Sequence, residues 1–395
     1  MRILITDSDN RSALAATRSL GRQGHQILVA GEKFPSLAAA SKYCKQFIPY
    51  PSPGKDPEAF LNTIIAACRD CRIDVVLPMT EVSTLLLTER RNSLPEWTIL
   101  PFASSASIAD ASNKADVLRM AAELGVPVPM TTRLEHSDRI RDMAASQVFP
   151  LVIKPARSRV RTEHGYVSTS VSYAFSAADL IAQIEGMPPE TFPILLQERI
   201  DGPGVGIFAC YDEGRPIAWF AHKRIREKPP SGGVSVLRES SPLDPQAAAH
   251  AERLLTALKW HGVAMVEFKR DSRDGSLRLM EINARFWGSL QLAIDAGVDF
   301  PRILVELAQG KHPPPSQNYK IGVRSRWFWG DLDSLLQILL RSRSTLNLPK
   351  SHPGRLRTAW EFIKFWDRNT REEIFRTEDP APFWLETKRW LSGIL

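Results

Sequence analysis

Apolar positions in the first hundred residues fall into short solid runs separated by stretches of helical spacing. Arg2–Thr6 (RILIT), Gln26–Ala30 (QILVA), Asp74–Pro78 (DVVLP) and Thr98–Pro101 (TILP) have strand length and are apolar on both faces. Ser12–Gln23, Pro57–Arg69 and Glu81–Arg90 carry helical periodicity, and Gly24 follows the first as a stop. Strands alternating with helices predict a parallel α/β layer. The pattern then changes. Asn113–Leu124 reads as a helix closed by Gly125-Val126-Pro127-Val128-Pro129. Phe149–Lys154, Val167–Tyr173 and Pro193–Glu198 read as strands, with a helix at Ala177–Glu185. Val205–Tyr211 and Pro216–Arg224 flank a turn at Asp212–Arg215, and Val263–Arg270 and Leu277–Ile282 flank another at Asp271–Ser276. Both pairs predict hairpins, with an amphipathic helix at Ala247–Lys259 between them. This middle part is α+β in character. After about His312, Leu332–Leu340 and Ala359–Trp366 predict helices in a tail that holds six of the ten tryptophans. Three parts are expected, over 1–110, 111–312 and 313–395.

Composition narrows the class. Of 395 residues, 43% are hydrophobic and 24% charged, which is ordinary for a soluble globular protein and excludes extensive disorder. No apolar run approaches the ~20 residues of a membrane-spanning helix. Asp7 and Asp9 stand where a signal peptide needs its apolar stretch, so a cytoplasmic location is expected. Cys68 and Cys71 lack a second ligand pair at zinc spacing. The net charge is +7, and the stretch from Lys320 onward holds fourteen Lys and Arg against nine Asp and Glu. That balance favours anionic partners, such as an acidic small molecule. The basic, Trp-rich tail admits packing on the core or on a second subunit, as in a homodimer. It also admits peripheral contact with a membrane surface. It lacks the paired aromatic spacing of an RNA-binding sheet, which argues against nucleic acid.

The chemistry concentrates in a few runs. The first βα turn, Thr6-Asp7-Ser8-Asp9-Asn10-Arg11-Ser12, has no glycine, which disfavours a nicotinamide or flavin cofactor. In Leu279–Arg285, strand alternation sets Glu281 and Asn283 on one face. A carboxylate and an amide oxygen side by side suit a hard cation. Glu267 lies on the other strand of the hairpin, where pairing brings it beside Glu281. Two carboxylates at one place repel unless a cation sits between them. Arg285 follows as a guanidinium suited to phosphate or carboxylate.

Taken in order, these runs resemble the ATP-grasp superfamily, in particular the ATP-binding domain of the carbamoyl-phosphate synthase large chain. Asn113-Lys114 with its Gly-Val-Pro-Val-Pro ending resembles that family's first lysine helix. Val152-Ile153-Lys154-Pro155 resembles its second lysine strand, and Leu196-Gln197-Glu198-Arg199-Ile200 its adenine-binding hinge. Glu267 and the run Glu281-Ile282-Asn283-Ala284-Arg285 resemble its metal and phosphate strands. The resemblance covers about Asn113 to Gly310. It implies a Rossmann-like α/β pre-ATP-grasp domain over 1–110, an α+β ATP-grasp domain over 111–312, and a helical, basic, Trp-rich segment over 313–395. It also implies that Lys114, Lys154 and Arg157 contact ATP phosphates, while Gln197, Glu198 and Ile200 hold the adenine. Glu267, Glu281 and Asn283 would bind one or two Mg²⁺, with Mn²⁺ an alternative. Arg285, with Lys223 or Arg224, would face the transferred phosphoryl group.

The implied activity is Mg-ATP-dependent ligation, most often forming a carbon–nitrogen bond. A carboxylate becomes an acyl phosphate and an amine or other nucleophile displaces phosphate. Kinase-type transfer to another acceptor, and a non-catalytic nucleotide sensor or scaffold, are the competing outcomes. Three features depart from the family pattern. The loop 155–165 has one glycine and three arginines, so either side chains such as Arg157 or Arg159 contact ATP in place of backbone, or the loop is a solvated basic connection. Pro203-Gly204-Val205-Gly206 lacks an acidic residue after the hinge. Lys223 and Arg224 are strand neighbours, so only one can face inward. The loop Ser231–Ser235 is either a closure over the acceptor or a plain connection.

Overall fold

The computed structural model describes all residues except 163–164, 231, 344, 347, 349–352, 365–368 and 394–395. The solid apolar runs at the start form a parallel sheet of β1 (Arg2–Ile5), β2 (Gln26–Gly31), β3 (Cys44–Pro49) and β4 (Val75–Leu77), in the order β3-β2-β1-β4. β4 and most of β1 and β2 are buried. Helices on both faces cover such strands, which is why they are apolar throughout. β3 was not signalled by the pattern: CKQFIP is half exposed at the sheet edge. The strand expected at Thr98–Pro101 reduces to one bridge, Ile99 to Val75. Prolines at 95 and 101 close in on it, and a residue without an N–H ends a ladder.

The chain then forms β5 (Thr131–Leu134), β6 (Leu151–Pro155), a ribbon of β7 (Arg159–Thr162) with β8 (Gly165–Ser168), then β9 (Ser172–Ala174) and β10 (Ile194–Glu198). Four of these make an antiparallel sheet, β5-β10-β6-β9. The single strand expected over Val167–Tyr173 is therefore two strands in different sheets. Thr169 breaks it, with its N–H and hydroxyl donating to the carbonyls of Ser158 (3.1 Å) and Arg157 (2.8 Å). The glycine-poor loop 155–165 is mostly this ribbon. Glu163 and His164 in it lie outside the described residues, as does Ser231 of the loop Ser231–Ser235.

The largest sheet has seven strands: β11 (Gly204–Asp212), β12 (Arg215–Lys228), β13 (Val234–Ser240), β14 (Gly262–Arg270), β15 (Leu277–Asn283), β16 (Arg324–Arg326) and β17 (Thr370–Glu372). Their order is β15-β14-β11-β12-β13-β16-β17. Both expected hairpins are present as β11–β12 and β14–β15. The helix Pro245–Ala257 packs on one face with helices Ser105–Ser112 and Lys114–Glu123. Asp244 caps it, its carboxylate accepting from the N–H groups of Gln246 (3.1 Å) and Ala247 (3.0 Å). The other face shares a core with the first sheet through Phe208, Phe220, Phe286, Trp287 and Phe300.

The tail is helical over Phe328–Leu340, Arg355–Ile363 and Ala381–Leu391, and it also supplies β16 and β17. Trp366, expected to end the second helix, lies outside the described residues. The two strands read RSR and TRE, so neither length nor hydrophobicity announced them. Trp329 stacks on Trp390 at 4.4 Å, which makes these tryptophans packing residues. The tail also reaches the helix Arg11–Arg22: Arg18 donates to Asp379 (2.8 Å) and Arg11 to Glu373 (3.0 Å).

Candidate functional site

The two lysines arrive from different elements that are tied together. Asn113 caps the helix Lys114–Glu123 by accepting from the N–H of Ala115 (3.1 Å). The N–H of Lys114 donates to the carbonyl of Ala156 (2.8 Å), just beyond β6, so the helix start is fixed to the end of the second lysine strand. Lys114 Nζ lies 2.7 Å from Ser158 Oγ and 3.9 Å from Glu281 Oε2. Lys154 on β6 has its Nζ 3.3 Å from Gln197 Oε1 on the neighbouring β10. Burial pushes the Lys154 ammonium below the usual lysine range, with Glu281 opposing.

The carboxylates come from the β14–β15 hairpin. Its register sets Glu267 opposite Glu281 and Met265 opposite Asn283, with an irregularity after Glu267. Arg224 Nη2 donates to Glu267 Oε1 at 2.8 Å. Burial pushes the Glu267 carboxyl up; Arg224 opposes this and Glu281 adds to it. Asn283 Nδ2 donates to Glu281 Oε1 (3.0 Å), and Arg285 Nη1 to the carbonyl of Phe286 (2.9 Å). Two carboxylates and an amide oxygen form a hard donor set, and a cation relieves the like charges that face each other. The residues therefore fit Mg²⁺. Among the described residues no group of three or more His, Cys, Asp or Glu is placed to hold a metal, so a third protein oxygen at this place would have to come from a residue such as Asn283.

Some expected residues stand elsewhere. Lys223 leaves the group, because alternation turns it to the other face of β12, where its Nζ is 2.6 Å from Glu239 beside Arg324. Arg224 is the inward member of that pair. Arg157 is exposed, and Arg159 lines the cavity beyond Arg285 instead. Gln197 is buried and bridges Lys154 and Thr131 Oγ1 (3.1 Å). Glu198 is engaged at both oxygens, by the N–H of Met130 and by Arg273, each at 2.9 Å. Ile200 is buried, and its carbonyl accepts from Lys269 (3.0 Å).

Two neighbours were not foreseen. Ser158 is the Lys114 partner, and one serine in a basic loop gives no sequence signal. Glu81 opens the helix Glu81–Glu89 after the Thr80 cap and lines both the space beside Lys114 and the larger cavity at Arg285. Burial pushes its carboxyl up, against Arg285, Lys114 and Arg159. A carboxylate just past the carboxyl end of a parallel strand was the available clue, because ligands bind at those ends. His222, beside Arg224, is pushed down to about 3 by burial, with Arg238 and Arg224 adding, and is neutral. Its Nε2 lies 2.8 Å from Ser289 Oγ, and its ring stacks on Phe208 at 4.7 Å.

Arg285 lines a cavity of about 630 Å³. The turn after β1 and the start of the next helix line it as well. The Lys114–Glu281 group thus opens onto a chamber between the first sheet and the large one, of a size that suits a small metabolite.

Residues 190–328 match the family model described as ATP-grasp in the biosynthetic pathway with Ter operon. Among solved structures the chain is similar to a biotin carboxylase–β,γ-ATP complex from Campylobacter jejuni. The TM-score is 0.65 at 16% identity, covering 82% of this chain and 74% of that one. It is also similar to an L-amino acid ligase from Bacillus licheniformis (TM-score 0.60, 17% identity, 79% and 77% covered). N5-carboxyaminoimidazole synthetase from Staphylococcus aureus is a third (TM-score 0.63, 15% identity, 86% and 85% covered). No curated protein matches at a significant level. Identities this low speak to fold, while the family match spans the strands that carry Arg224, Glu267, Glu281 and Asn283. On both grounds the chain is a protein of the ATP-grasp fold.

Proposed function

We propose that this chain is a Mg-ATP-dependent ligase that activates a carboxylate as an acyl phosphate for attack by an amine. The observation that carries this reading is convergence: Lys114 from a helix start, Lys154 from β6, and Glu267, Glu281, Asn283 and Arg285 from the β14–β15 hairpin and its exit come to one place, beside a chamber large enough for an acceptor. The similar structures include an L-amino acid ligase. Lys114 and Lys154 neutralise the ATP phosphates. Glu267, Glu281 and Asn283 would hold Mg²⁺ or Mn²⁺, which when bound offsets phosphate charge. The chain at Gln197–Ile200 borders the adenine. An acceptor carboxylate oxygen attacks the γ-phosphorus and ADP leaves with the bridging electron pair. Arg285 stabilises charge on the phosphoryl group in flight, and Arg224 orients Glu267. The amine then displaces inorganic phosphate at the carbonyl. No covalent nucleophile from the protein is required, because the rate comes from positioning and charge neutralisation.

The test is ADP formation with Mg-ATP and pooled small carboxylates and amines, with Glu281→Gln in parallel. Acceptor-stimulated turnover that disappears in the variant supports the ligase, and hydroxylamine capture of an acyl hydroxamate separates it from a kinase acting on an alcohol. Tight Mg-ATP binding without turnover across every pool favours a nucleotide sensor.

The tail supports a second reading of place rather than chemistry. No helix among the described residues is long and apolar enough to cross a membrane. The helix Arg355–Ile363 nevertheless turns Leu356 (89% exposed), Trp360 (63%) and Ile363 (56%) outward on one face, with Arg355, Arg357 and Lys364 around them. We propose that this face rests on an anionic bilayer surface. Sedimentation with vesicles containing phosphatidylserine should carry the wild type and lose Trp360→Glu. Equal binding to neutral vesicles, or none, would overturn it.

A further inference from the structure

Helices in this protein are capped by side chains at several starts: Asp56, Thr80, Ser104, Asn113, Ser176, Asp244 and Asp299 each accept from a first-turn N–H. The helix Arg11–Arg22 is not. Asn10 makes no side-chain cap, and the first turn carries no acidic residue. Its start lines the 630 Å³ cavity that Arg285 also lines. An uncapped helix start presents N–H groups and a partial positive charge to whatever fills that space.

A second, independent observation lies beside it. Ser8 and Ser12 are only 2% and 4% exposed, both line the cavity, and neither hydroxyl has a partner among the described residues. Gly31 makes room for this arrangement, because a Cβ there would lie 1.9 Å from Ser8 Oγ. A hydroxyl that no protein group engages is free to donate to an acceptor group bound in the cavity.

The nearby carboxylates do not oppose an anion as strongly as their number suggests. Asp7 accepts from the N–H groups of Met79 (3.0 Å) and Thr80 (3.1 Å) and from Ser83 Oγ (2.6 Å). Asp9 is paired with Arg389 at 2.8 Å. Glu32 is exposed to solvent. Arg11 is paired with Glu373 (3.0 Å) and lies over the Trp327 ring at 3.9 Å, so the donors left at the helix start are backbone, Ser8 and Ser12, with Lys33 and Arg159 elsewhere on the cavity lining.

We propose that the start of the helix Arg11–Arg22, with the hydroxyls of Ser8 and Ser12, is a subsite for a distal phosphate or carboxylate of the acceptor. The acceptor's reacting carboxylate lies at the Arg285 end of the same cavity, an assignment that rests on the ligase reading. The substrate class is then a small molecule with two anionic ends, too long to be satisfied by Arg285 alone. Ser8 and Ser12 select it and touch none of the reacting atoms.

The test uses the full chain and two probes, inorganic phosphate and glutarate, titrated calorimetrically into wild type, Ser12→Asp and Ser12→Ala, with Mg-ATP titrated alongside. Aspartate suits a first helical turn, and alanine keeps the helix, so both variants should retain the wild-type circular dichroism. One of the two anions should bind the wild type. Ser12→Asp should weaken it at least about tenfold through like-charge repulsion, and Ser12→Ala about threefold through a lost hydrogen bond. Mg-ATP affinity should be the same in all three. Phosphate binding without glutarate binding identifies a phosphorylated acceptor, and the reverse a dicarboxylate. Binding of neither anion, or wild-type affinity in Ser12→Asp, overturns the subsite. Failure of Mg-ATP to bind, with the Ser12→Asp effect intact, would instead sink the ligase reading and leave the subsite standing.

Discussion

Two regions of this molecule bury charge, and they do it differently. At the seam between the first domain and the tail, Arg18 is fully buried and donates to Asp379 Oδ2 (2.8 Å) and to its carbonyl (2.7 Å). Asp379 also accepts from Ser41 Oγ (2.7 Å) and the N–H of Lys42 (2.9 Å). Burial alone would push that carboxyl up, but the bonds from Arg18, Lys42 and Ser41 outweigh it and hold it down, while burial still pushes the Arg18 guanidinium down against Asp379 and its Nη1 has no partner among the described residues. At the Lys154–Glu267 group the balance goes the other way. Burial wins, the ammonium is pushed down and the carboxyl up, and each is left short of partners. A network that satisfies its carboxylate serves the fold, whereas one whose carboxylate is left short is held ready for something absent from the chain itself.

The largest effect expected from this contrast is at the seam. Asp379→Ala strands Arg18 in the interior and should cost about 3–5 kcal/mol in urea unfolding. A loss near zero would show that Asp379 does not hold Arg18 in the interior. Next comes Glu281→Gln, which should lower acceptor-dependent ADP formation about 10²-fold or more. Its urea midpoint should move by less than about 0.5 kcal/mol. A large stability loss would make Glu281 a structural residue like Asp379.

Lys154→Met should weaken Mg-ATP binding about tenfold, or ~1.4 kcal/mol. Without nucleotide the variant should be at least as stable as wild type near neutral pH, because an ammonium disfavoured by burial has been removed. If apo stability falls instead, the two regions are alike.

The smallest effect is pH-dependent. Glu386 in the tail is pushed up to about 8 by burial, while Trp327 Nε1, 2.8 Å from its Oε1, works against that. Its neutral form is favoured in the folded state. Its contribution is therefore full below the unfolded value near 4.5 and is lost as pH rises through about 8. Glu386→Gln should melt at the wild-type temperature at pH 5 and a few degrees above it at pH 9, at about 2–4 °C per kcal/mol. Parallel melting curves across that range would show that Glu386 ionises freely.

Much of the candidate site was legible because its residues lie in runs whose spacing carries meaning. Glu281 and Asn283 share a strand face through alternation, and Glu267 joins them because a short turn leaves few registers for the hairpin. Asn113-Lys114 is a cap followed by a helix start. The legible part ended where contacts cross between elements. Lys223 and Arg224 are equivalent in sequence, and only the face that β12 presents separates them. Glu198 has the right neighbours, yet Met130 and Arg273 hold both its oxygens.

The amino-acid sequence by itself determined the alternation of strands and helices, the two long hairpins and the order of lysines and carboxylates. Those follow from local periodicity, capping and turn chemistry, which act over a few residues. Only the tertiary structure decided that β16 and β17, three residues each, finish the large sheet. The same holds for Thr169 splitting one apparent strand into two, and for Ser8, Ser12 and Glu81 facing a chamber shared with Arg285. Such features depend on partners tens to hundreds of residues away, and their free energy belongs to the packed pair, so no local pattern records them.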